Sequence, residues 1–213
     1  MNVFLFGPPG SGKGTQAKDL AERLGVPHVA TGDIFRKNLR DGTPLGKLAK
    51  SYMDAGGLVP DSVTCDIVAD RLMQADALGG VLFDGFPRSV PQAEWLLAWF
   101  ASHGRRADAV VSLEVPEGAI LERITGRRTC AQCSATYHVV YNPPGAVCVK
   151  CGSTDIVQRR DDTAEVVQKR LDEYAAQTAA VLPVLRSAAT VHDIDGTGDI
   201  AAVKNRIFAA LHL

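Results

Sequence analysis

The residues best suited to chemistry stand near the start of the chain, in the glycine-rich stretch "GPPGSGKGT" at positions 7–15. An apolar run precedes this stretch and a helical pattern follows it, which is the context of a phosphate-binding loop. Glycines let backbone N–H groups approach phosphate oxygens closely, and the next helix N-terminus adds partial positive charge. Lys13 can reach the β- and γ-phosphates of a nucleoside triphosphate. The pattern predicts a triphosphate site rather than an incidental tight turn.

Two places in the sequence bear on Mg²⁺, the ion that accompanies a bound triphosphate. The general loop pattern has Ser or Thr directly after the lysine, whereas this chain has Gly14 there and Thr15 next. We therefore expect Mg²⁺ to be held mainly by phosphates and waters. The stretch "VLFDGFPR" supplies a carboxylate, because its buried strand ends at Asp84, which could order Mg²⁺ or its waters.

Four cysteines form a second group with ligand chemistry. Cys130 and Cys133 make one C-x₂-C pair, Cys148 and Cys151 make another, and 14 residues separate the pairs. Four thiolates close a tetrahedral Zn²⁺ shell with no open position, so the pattern predicts a structural zinc site. A disulfide framework and unbound thiols are the alternatives. His138 lies between the pairs and is redundant as a ligand, so we expect it to pack within this segment.

Short apolar runs alternate with helical patterns along most of the chain. The runs "NVFLF", "GVLFD", "AVVSLEV" and "ATVHDID" are typical of strands buried on both faces of a parallel sheet. Ser89 with Gln92, and Asp162 with Glu165, have the spacing of a capping box, and each pair begins a long helical pattern. Amphipathic patterns also fill "EGAILERIT" and "DIAAVKNRIFAALHL". Strands that alternate with helices predict a doubly wound α/β fold, a parallel sheet flanked by helices.

Two segments break this alternation. Residues from about 31 to 60 read as all-helical, with no strand among them, and residues from about 127 to 160 contain cysteine, proline and glycine without helical period. Both segments are predicted to be insertions into the α/β core. The second is too small to bury much apolar surface, and a bound metal would stabilise it.

Composition narrows the class of protein. The chain has 213 residues, 46% of them apolar, with a net charge of −1, which fits one domain with small insertions. A general nucleic-acid or membrane-surface binder usually has a basic excess. The start of the chain lacks a basic leader, so we expect a cytoplasmic protein, where paired cysteines bind metal more often than they form disulfides. The fifth cysteine, Cys65, is expected in the core of a helix.

Four stretches together resemble the adenylate kinase family: "GPPGSGKGTQA", "TGDIFR", "DGFPRSVPQA" and "GRR…YH…NPP…RRDD". They follow that family's order and spacing over nearly the whole chain. Many NTPases share a phosphate loop, but "DGFPR" followed closely by "PQA" is far more specific. The resemblance implies a P-loop nucleoside monophosphate kinase fold, with the core at 1–29, 61–126 and 161–213. It further implies an AMP-binding domain at 30–60 and, at 127–160, a lid of the zinc-ribbon type that some members carry.

The resemblance also assigns roles to individual residues. Catalysis by charge stabilisation is implied for Lys13, Asp84, Arg88, Arg123, Arg159 and Arg170. ATP contacts are implied for Gly10, Ser11, Gly12, Lys13, Gly14, Thr15, Arg123, Arg127, Thr136, Tyr137 and Gly198. AMP contacts are implied for Thr31, Arg36, Gly57, Leu58, Val59, Gly85, Phe86, Pro87, Arg88, Gln92, Arg159 and Arg170. Gln92 is the expected reader of the adenine edge, since an amide can both donate and accept hydrogen bonds.

The remaining arginines have no motif around them. We expect Arg40, Arg71, Arg105, Arg106 and Arg186 at the surface, while Arg128 and Arg160 stand beside site arginines and are left undecided.

The activity implied by the resemblance is the reversible, Mg²⁺-dependent reaction of ATP with AMP to give two ADP. The expected protein is a monomer that binds these nucleotides, with no nucleic-acid or membrane partner. One alternative keeps the chemistry but takes UMP or CMP. Another is a P-loop protein whose zinc ribbon binds nucleic acid, which the near-neutral charge and the few aromatic residues of the hairpin disfavour.

Overall fold

A computed structural model describes all 213 residues of the chain. The strands are β1 Asn2–Phe6, β2 His28–Ala30, β3 Val81–Asp84, β4 Ala109–Glu114, β5 Arg127–Cys130, β6 Thr136–His138, β7 Ile156–Val157 and β8 Thr190–Asp195. The helices are α1 Lys13–Leu24, α2 Thr31–Arg40, α3 Pro44–Asp54, α4 Asp61–Leu72, α5 Val90–Ser102, α6 Glu117–Thr125, α7 Ala164–Glu173, α8 Val181–Ala188 and α9 Ile200–Ala210. None of these helices combines the length and the apolar character of a membrane span.

A parallel sheet in the order β2-β3-β1-β4-β8 forms the centre of the molecule. One of its faces buries Phe4 against Phe83, whose stacked rings lie 5.0 Å apart, and the other buries Val3 and Leu5 against Leu20 of α1. Burial of each such side chain contributes roughly 1.5–3 kcal/mol. The predicted parallel sheet flanked by helices is therefore confirmed, and β1, β3 and β4 are buried on both faces. The prediction of two buried faces is wrong for β8, an edge strand in which only Ile194 is buried.

Strand β2 was not expected from the sequence. Its three residues, "HVA", are too few to set up a recognisable period. It nevertheless forms the edge of the sheet beside β3, with Ala30 in register with Asp84. The parallel register brings the carboxyl ends of β1, β2 and β3 to one edge of the sheet, where ligands of such folds bind.

The start of α5 follows the predicted capping box in part. The Ser89 hydroxyl accepts a hydrogen bond from the Gln92 backbone N–H at 3.3 Å. The reciprocal bond differs from the expectation, because the side-chain oxygen of Gln92 accepts from the backbone N–H of Arg88 at 2.8 Å instead of that of Ser89. The Gln92 amide thus fixes the backbone at Arg88, in the segment that precedes α5.

The second predicted capping box is wrong. Helix α7 is capped by Thr163, whose hydroxyl accepts from the Val166 N–H, one residue later than expected. Asp162 is unavailable as a cap because it is fully buried and its carboxylate pairs with Arg127. The expected long helix is also divided, since a π-helical turn at Tyr174–Thr178 separates α7 from α8.

The helical insertion, residues 30–60, contains α2 and α3 and, as expected, no strand of its own beyond the last residue of β2. Phe35, Ala49 and Val59 form its small buried core. Val63 and Ile67 of α4 pack against the same core, so the insertion shares apolar contacts with the main body.

The cysteine insertion, residues 127–160, forms a second sheet in the order β6-β5-β7. Strand β5 pairs antiparallel with β6 and with β7. The buried residues of this insertion are Cys130, Tyr137 and Cys148, with Cys133, Ala135 and Ile156 partly buried around them. Cysteines therefore occupy the place that apolar side chains hold in the helical insertion.

The arginines expected at the surface divide into two groups. Arg40, Arg106 and Arg186 are exposed, as expected. The prediction is wrong for Arg71, whose side chain is only 19% exposed and forms an ion pair with Asp76. It is also wrong for Arg105, which is half-buried because its guanidinium packs over the rings of Trp99 and Phe100. Cys65 is 7% exposed in the main core, which confirms its predicted place.

Candidate active site and metal cluster

The glycine loop connects β1 to α1 at the carboxyl edge of the sheet. Gly12 caps the helix with a φ of 101°, a backbone conformation that only glycine adopts freely. A β-carbon at Gly10 would lie 2.6 Å from the Ile124 side chain, so that position also requires glycine. No atom lies within 4 Å of the place a Gly12 β-carbon would take. The loop therefore has a glycine-dependent backbone conformation at a helix N-terminus, with open space beside Gly12.

Lys13 extends into this loop. Its ammonium donates hydrogen bonds to the carbonyl oxygens of Gly7 at 2.7 Å and Pro8 at 2.8 Å. Burial lowers the pKa of the Lys13 ammonium to about 8. The nearby guanidinium groups of Arg88, Arg127 and Arg170 also lower this pKa, while the Asp84 carboxylate opposes them. The lysine thus lies in a positive environment that an anion would relieve.

Asp84 ends β3 beside the loop, where the sequence placed it. Its Oδ2 lies 3.3 Å from Nε2 of His28 on β2 and 3.3 Å from the position a β-carbon of Gly14 would take. Burial would raise the pKa of Asp84, but the hydrogen bond to His28 and the charge of Lys13 hold it below its ordinary value. An ionised carboxylate of this kind suits Mg²⁺ or its waters. Thr15 is exposed on the same first turn of α1.

Five arginines from separate elements lie near one another, and three of them, Arg88, Arg127 and Arg170, also lie near the lysine. Arg88 follows β3, Arg127 begins β5, Arg159 follows β7 and Arg170 lies on α7, while Arg36 comes from α2. Burial, with Arg170 nearby, lowers the pKa of Arg88 to about 10. Burial, with Arg36 and Arg127 nearby, lowers the pKa of Arg159 to about 9. Arg88 and Arg159 are thus buried cations that lie close to other cations, which is the arrangement expected of a polyphosphate site.

Carboxylates neutralise part of this cluster. Asp162, fully buried, accepts two hydrogen bonds from Arg127 and lies 3.6 Å from Arg170. Asp161 accepts from Arg170 at 3.2 Å. Arg36 pairs with Asp33 one turn earlier on its helix. The "RRDD" stretch thus supplies both a guanidinium and the carboxylates that orient its neighbours.

The side of the site near the helical insertion is built around a buried amide. Gln92 is 2% exposed, and its Nε2 donates to Asp61 at 2.6 Å. Asp61 also accepts from the Ser89 hydroxyl at 2.8 Å. Thr31 donates its hydroxyl hydrogen to the Gly85 carbonyl at 3.0 Å. Gln92 therefore joins the start of α4, through Asp61, to the segment after β3, through Arg88, and its amide keeps a second N–H and a second lone pair for a ligand.

The backbone segments predicted to contact AMP lie on this same side. Val59 is buried in the insertion core and its carbonyl accepts from Thr64, while Gly57 and Leu58 are partly exposed. Phe86 is packed in the main core and is joined to Pro87 by a cis peptide bond.

Arg123 contacts both the glycine loop and a second loop, which carries Gly198. Arg123 donates to the carbonyl oxygens of Ser11 at 3.4 Å and Gly196 at 2.9 Å, so it bridges the two loops. Gly198 is exposed with a φ of 94°. Arg206 of α9 donates to the Thr197 carbonyl at 2.7 Å and holds this second loop in shape.

The four cysteines meet in the cysteine insertion, and none of them is in a disulfide. Their sulfur atoms all lie within 4.8 Å of one another. The Cys130–Cys151 and Cys133–Cys148 sulfur pairs are 3.6 Å and 3.5 Å apart. Tetrahedral zinc at a Zn–S bond of about 2.3 Å requires about 3.8 Å between sulfurs, so the cluster has the dimensions of a four-thiolate site.

Tyr137 is buried beside the sulfur cluster and forms a hydrogen bond to it. Its hydroxyl donates to Sγ of Cys148 at 3.2 Å and accepts from the Val149 N–H at 3.0 Å. The hydrogen bond from Tyr137 lowers the pKa of Cys148 to about 6, which favours a thiolate. Because this side chain faces the sulfurs, any contact with ATP at Tyr137 would come from its backbone. Thr136, its neighbour, is exposed.

His138 lies outside the sulfur cluster, as expected. Its ring stacks on Tyr141 with centroids 4.4 Å apart, and its Nδ1 accepts from the backbone N–H groups of Val140 and Tyr141. The packing role predicted for this histidine is confirmed.

Sequence reasoning missed several residues that shape the site. His28 is on the unrecognised strand β2, Asp33 lies within "TGDIFR" but was given no role, and Asp61 belongs to none of the quoted motifs. Arg40, assigned to the surface alone, donates to the Ser134 hydroxyl at 2.7 Å and so joins the two insertions. The spacing of Arg36 from Asp33 on one helix was the available signal for that ion pair.

Known proteins resemble this chain over its length. The profile of the adenylate kinase family matches residues 5–189. An adenylate kinase of Moorella thermoacetica is 52% identical over 99% of this chain and 98% of its own length. Adenylate kinases of Desulfitobacterium hafniense and Clostridium perfringens are 49% and 48% identical, each over 99% of this chain, and over 98% and 96% of their own lengths. The resemblance therefore includes both insertions as well as the core.

Proposed function

The chain belongs to the adenylate kinase family, and from this premise we propose how its residues divide the work of the reaction. The fold is that of P-loop nucleoside monophosphate kinases, and the reaction is the reversible phosphoryl transfer between ATP and AMP that gives two ADP. The observation that carries the residue assignment is the convergence of Lys13 with guanidinium groups from the core and from both insertions. Burial and neighbouring cations lower the pKa values of Lys13, Arg88 and Arg159, which supports a site for a polyanion.

ATP binds on the side of the glycine loop. The backbone of residues 10–15 surrounds the phosphates, and Lys13 supplies the principal positive charge there. Arg123 bridges this loop to the one that carries Gly198, where the adenine is held. Arg127, Thr136 and the backbone of Tyr137 contact ATP from the cysteine insertion, which acts as the lid. The open space at Gly12 and the helix N-terminus behind it support this placement.

AMP binds on the side of the helical insertion. Gln92 reads the adenine edge, and the backbone of residues 57–59 and 85–87, with Thr31, lines the nucleoside. Arg36 and Arg88 hold the AMP phosphate. The buried position of Gln92, fixed by Arg88 N–H and Asp61, supports a reading role because a fixed amide discriminates better than a mobile one.

Transfer proceeds by positioning and charge stabilisation. An oxygen of the AMP phosphate forms a bond to the γ-phosphorus as the bond from that phosphorus to the ADP oxygen breaks. The nucleophile is already anionic, so no general base is needed. Lys13, Arg88, Arg123, Arg159 and Arg170 face the oxygens on which charge develops, and the planar guanidinium forks of the four arginines need little reorganisation. Asp84 is the carboxylate that would hold Mg²⁺ or its waters, and the ion would offset the negative charge of the phosphates.

The four cysteines hold structural Zn²⁺. The dimensions of the sulfur cluster, the absence of an open ligand position and the Tyr137 hydrogen bond support this assignment. Zinc stiffens the lid so that it closes as one unit and excludes water, which would otherwise compete with AMP for the phosphoryl group. We place the protein in the cytoplasm, where thiolate ligands stay reduced, as a monomer without nucleic-acid or membrane partners.

A coupled assay of ADP formation tests the proposal. ATP is offered with AMP, CMP, UMP or GMP in turn, and zinc per chain is measured on the same sample. We expect turnover with AMP to exceed that with the other monophosphates by at least about a hundredfold, since a buried amide rejects a wrong base edge strongly. Comparable turnover with UMP or CMP would contradict the assigned acceptor.

Lys13→Met is the matched variant for the same assay. It removes the ammonium and keeps a similar apolar stem, so the fold is expected to survive while turnover falls by about a thousandfold or more. Near-normal turnover would remove Lys13 from the mechanism.

A further inference from the structure

Arg159 differs from Arg36, Arg127 and Arg170 in how the protein holds it, because it has no carboxylate partner. Arg36, Arg127 and Arg170 each pair with a carboxylate. The Arg159 guanidinium makes a single hydrogen bond within the protein, from its Nε–H to Oγ1 of Thr129 at 3.0 Å.

We propose that Thr129 is a positioning residue that aims Arg159 at the transferring phosphoryl group. The inference rests on the role given above to Arg159. The Thr129 hydroxyl takes the Nε–H, which fixes the plane of the guanidinium. The N–H groups of the two terminal nitrogens then have no acceptor within the protein and face the same cluster as Arg36 and Arg127. A neutral acceptor directs the group without cancelling its charge, as a carboxylate would.

The position of Thr129 makes it a rigid anchor. It is 7% exposed on β5, in register with Val157 on β7, two residues before Arg159. Cys130, the next residue, is a member of the sulfur cluster, so β5 is fixed immediately beyond the hydroxyl. β-Branched side chains also have few rotamers on a strand. The hydroxyl therefore stays in place as the guanidinium meets its ligand.

The arginine needs such an anchor. Burial and the charges of Arg36 and Arg127 make its location unfavourable for a cation, as the lowered pKa of Arg159 indicates. A long side chain also gains rotamer entropy when it leaves a fixed geometry. Without the Thr129 acceptor, Arg159 would spend more of its time turned away from the cluster, and the reactive arrangement would be less populated.

Thr129→Val tests the proposal, because valine keeps the shape and the strand preference but removes the acceptor. Thr129→Ser is the matched control, since it retains the hydroxyl. Steady-state kinetics are measured for both, with melting temperature and zinc per chain. We expect Thr129→Val to lower kcat roughly tenfold, the scale of a hydrogen bond to a charged group. The KM for ATP, the melting temperature and the zinc content should stay close to those of the parent, and Thr129→Ser should recover most of kcat.

Arg159→Ala and the double variant separate this inference from the proposed function. If Thr129 acts through Arg159, Thr129→Val has no further effect in the Arg159→Ala background. Parent-like kcat in Thr129→Val beside a large loss in Arg159→Ala overturns the role of Thr129 and leaves that of Arg159 intact. Parent-like kcat in Arg159→Ala overturns both. A fall in melting temperature or zinc content that matches the fall in kcat makes Thr129 a structural residue only, which also overturns the proposal.

Discussion

The helical insertion and the cysteine insertion are similar in length but are stabilised by different means. The helical insertion buries Phe35, Ala49 and Val59 and extends this core onto α4 of the main body. The cysteine insertion has no such extension, because its buried cluster is built from its own cysteines, Tyr137 and a few small neighbours. Its outer surface exposes Val140 and Val149, at 63% and 85%.

This difference has a physical reason. Two helices laid beside a third can share its apolar face, so a short insertion can be stable without a full core of its own. A three-stranded sheet that projects from the body has no such face, and so few residues cannot bury enough apolar surface to fix it. The metal site proposed for the four cysteines would replace the missing core. The insertion that shares no apolar core with the body is thus the one whose buried cluster is made of its own residues.

Loss of two sulfur ligands is expected to have the largest effect. Cys148→Ser with Cys151→Ser should abolish zinc binding and lower the melting temperature by about 10 °C or more, because metal binding supplies several kcal/mol of folding energy to such modules. At low temperature, kcat should fall much less. Melting curves, zinc content and kcat at several temperatures check this.

Cys65→Ser is the matched control for the double variant. It removes a buried thiol that lies outside the sulfur cluster, so zinc content should not change. An equal loss of activity at every temperature in the double variant would indicate a catalytic metal instead. It would contradict the structural role proposed for the sulfur cluster.

A core substitution in the helical insertion should have the next largest effect. Phe35→Ala removes a ring that is 5% exposed, and such a change costs about 3–5 kcal/mol. Since α4 supports the same core, we expect partial loosening rather than loss of the insertion. The KM for AMP should rise well above that of the parent while the KM for ATP changes little. Leu48→Ala, at a 44% exposed position of α3, is the control and should behave like the parent. An equal rise in the KM for AMP in Leu48→Ala would show that the effect of Phe35→Ala does not come from loss of a buried side chain.

Gln92→Ala tests whether the two insertions serve different nucleotides. The variant loses the amide that holds Arg88 N–H and Asp61, so we expect the KM for AMP to rise about ten- to a hundredfold. The KM for ATP should change by less than about threefold. Glu94→Ala, at an exposed position on the same helix, controls for general effects on α5. Equal changes in both KM values would remove Gln92 from the AMP side.

Some features of the two insertions and of the site could be predicted from the sequence, and others could not. The sulfur cluster followed from two C-x₂-C pairs, because ligand spacing is local, and the parallel sheet followed from apolar runs. The partners of the site residues did not follow, because they depend on contacts between distant segments. Asp162 had the spacing of a helix cap, yet burial beside Arg127 gave it another role. His28 was hidden in a strand too short to recognise, and the Thr129–Arg159 bond joins residues whose pairing only the β5–β7 register reveals.

The contact between the insertions should have the smallest effect. Arg40 of α2 donates to the Ser134 hydroxyl of the cysteine insertion at 2.7 Å, and Arg160 lies 4.0 Å from Asp54 of α3 nearby. Exposed polar pairs contribute about 0.2–1 kcal/mol, so Arg40→Ala should raise both KM values together by less than about fivefold. Lys37→Ala, an exposed cation on the same helix that does not reach the cysteine insertion, is the matched control. A change in the KM for only one nucleotide would show that Arg40 acts within one insertion. A parallel rise in both KM values would show that the helical insertion and the cysteine insertion close on each other.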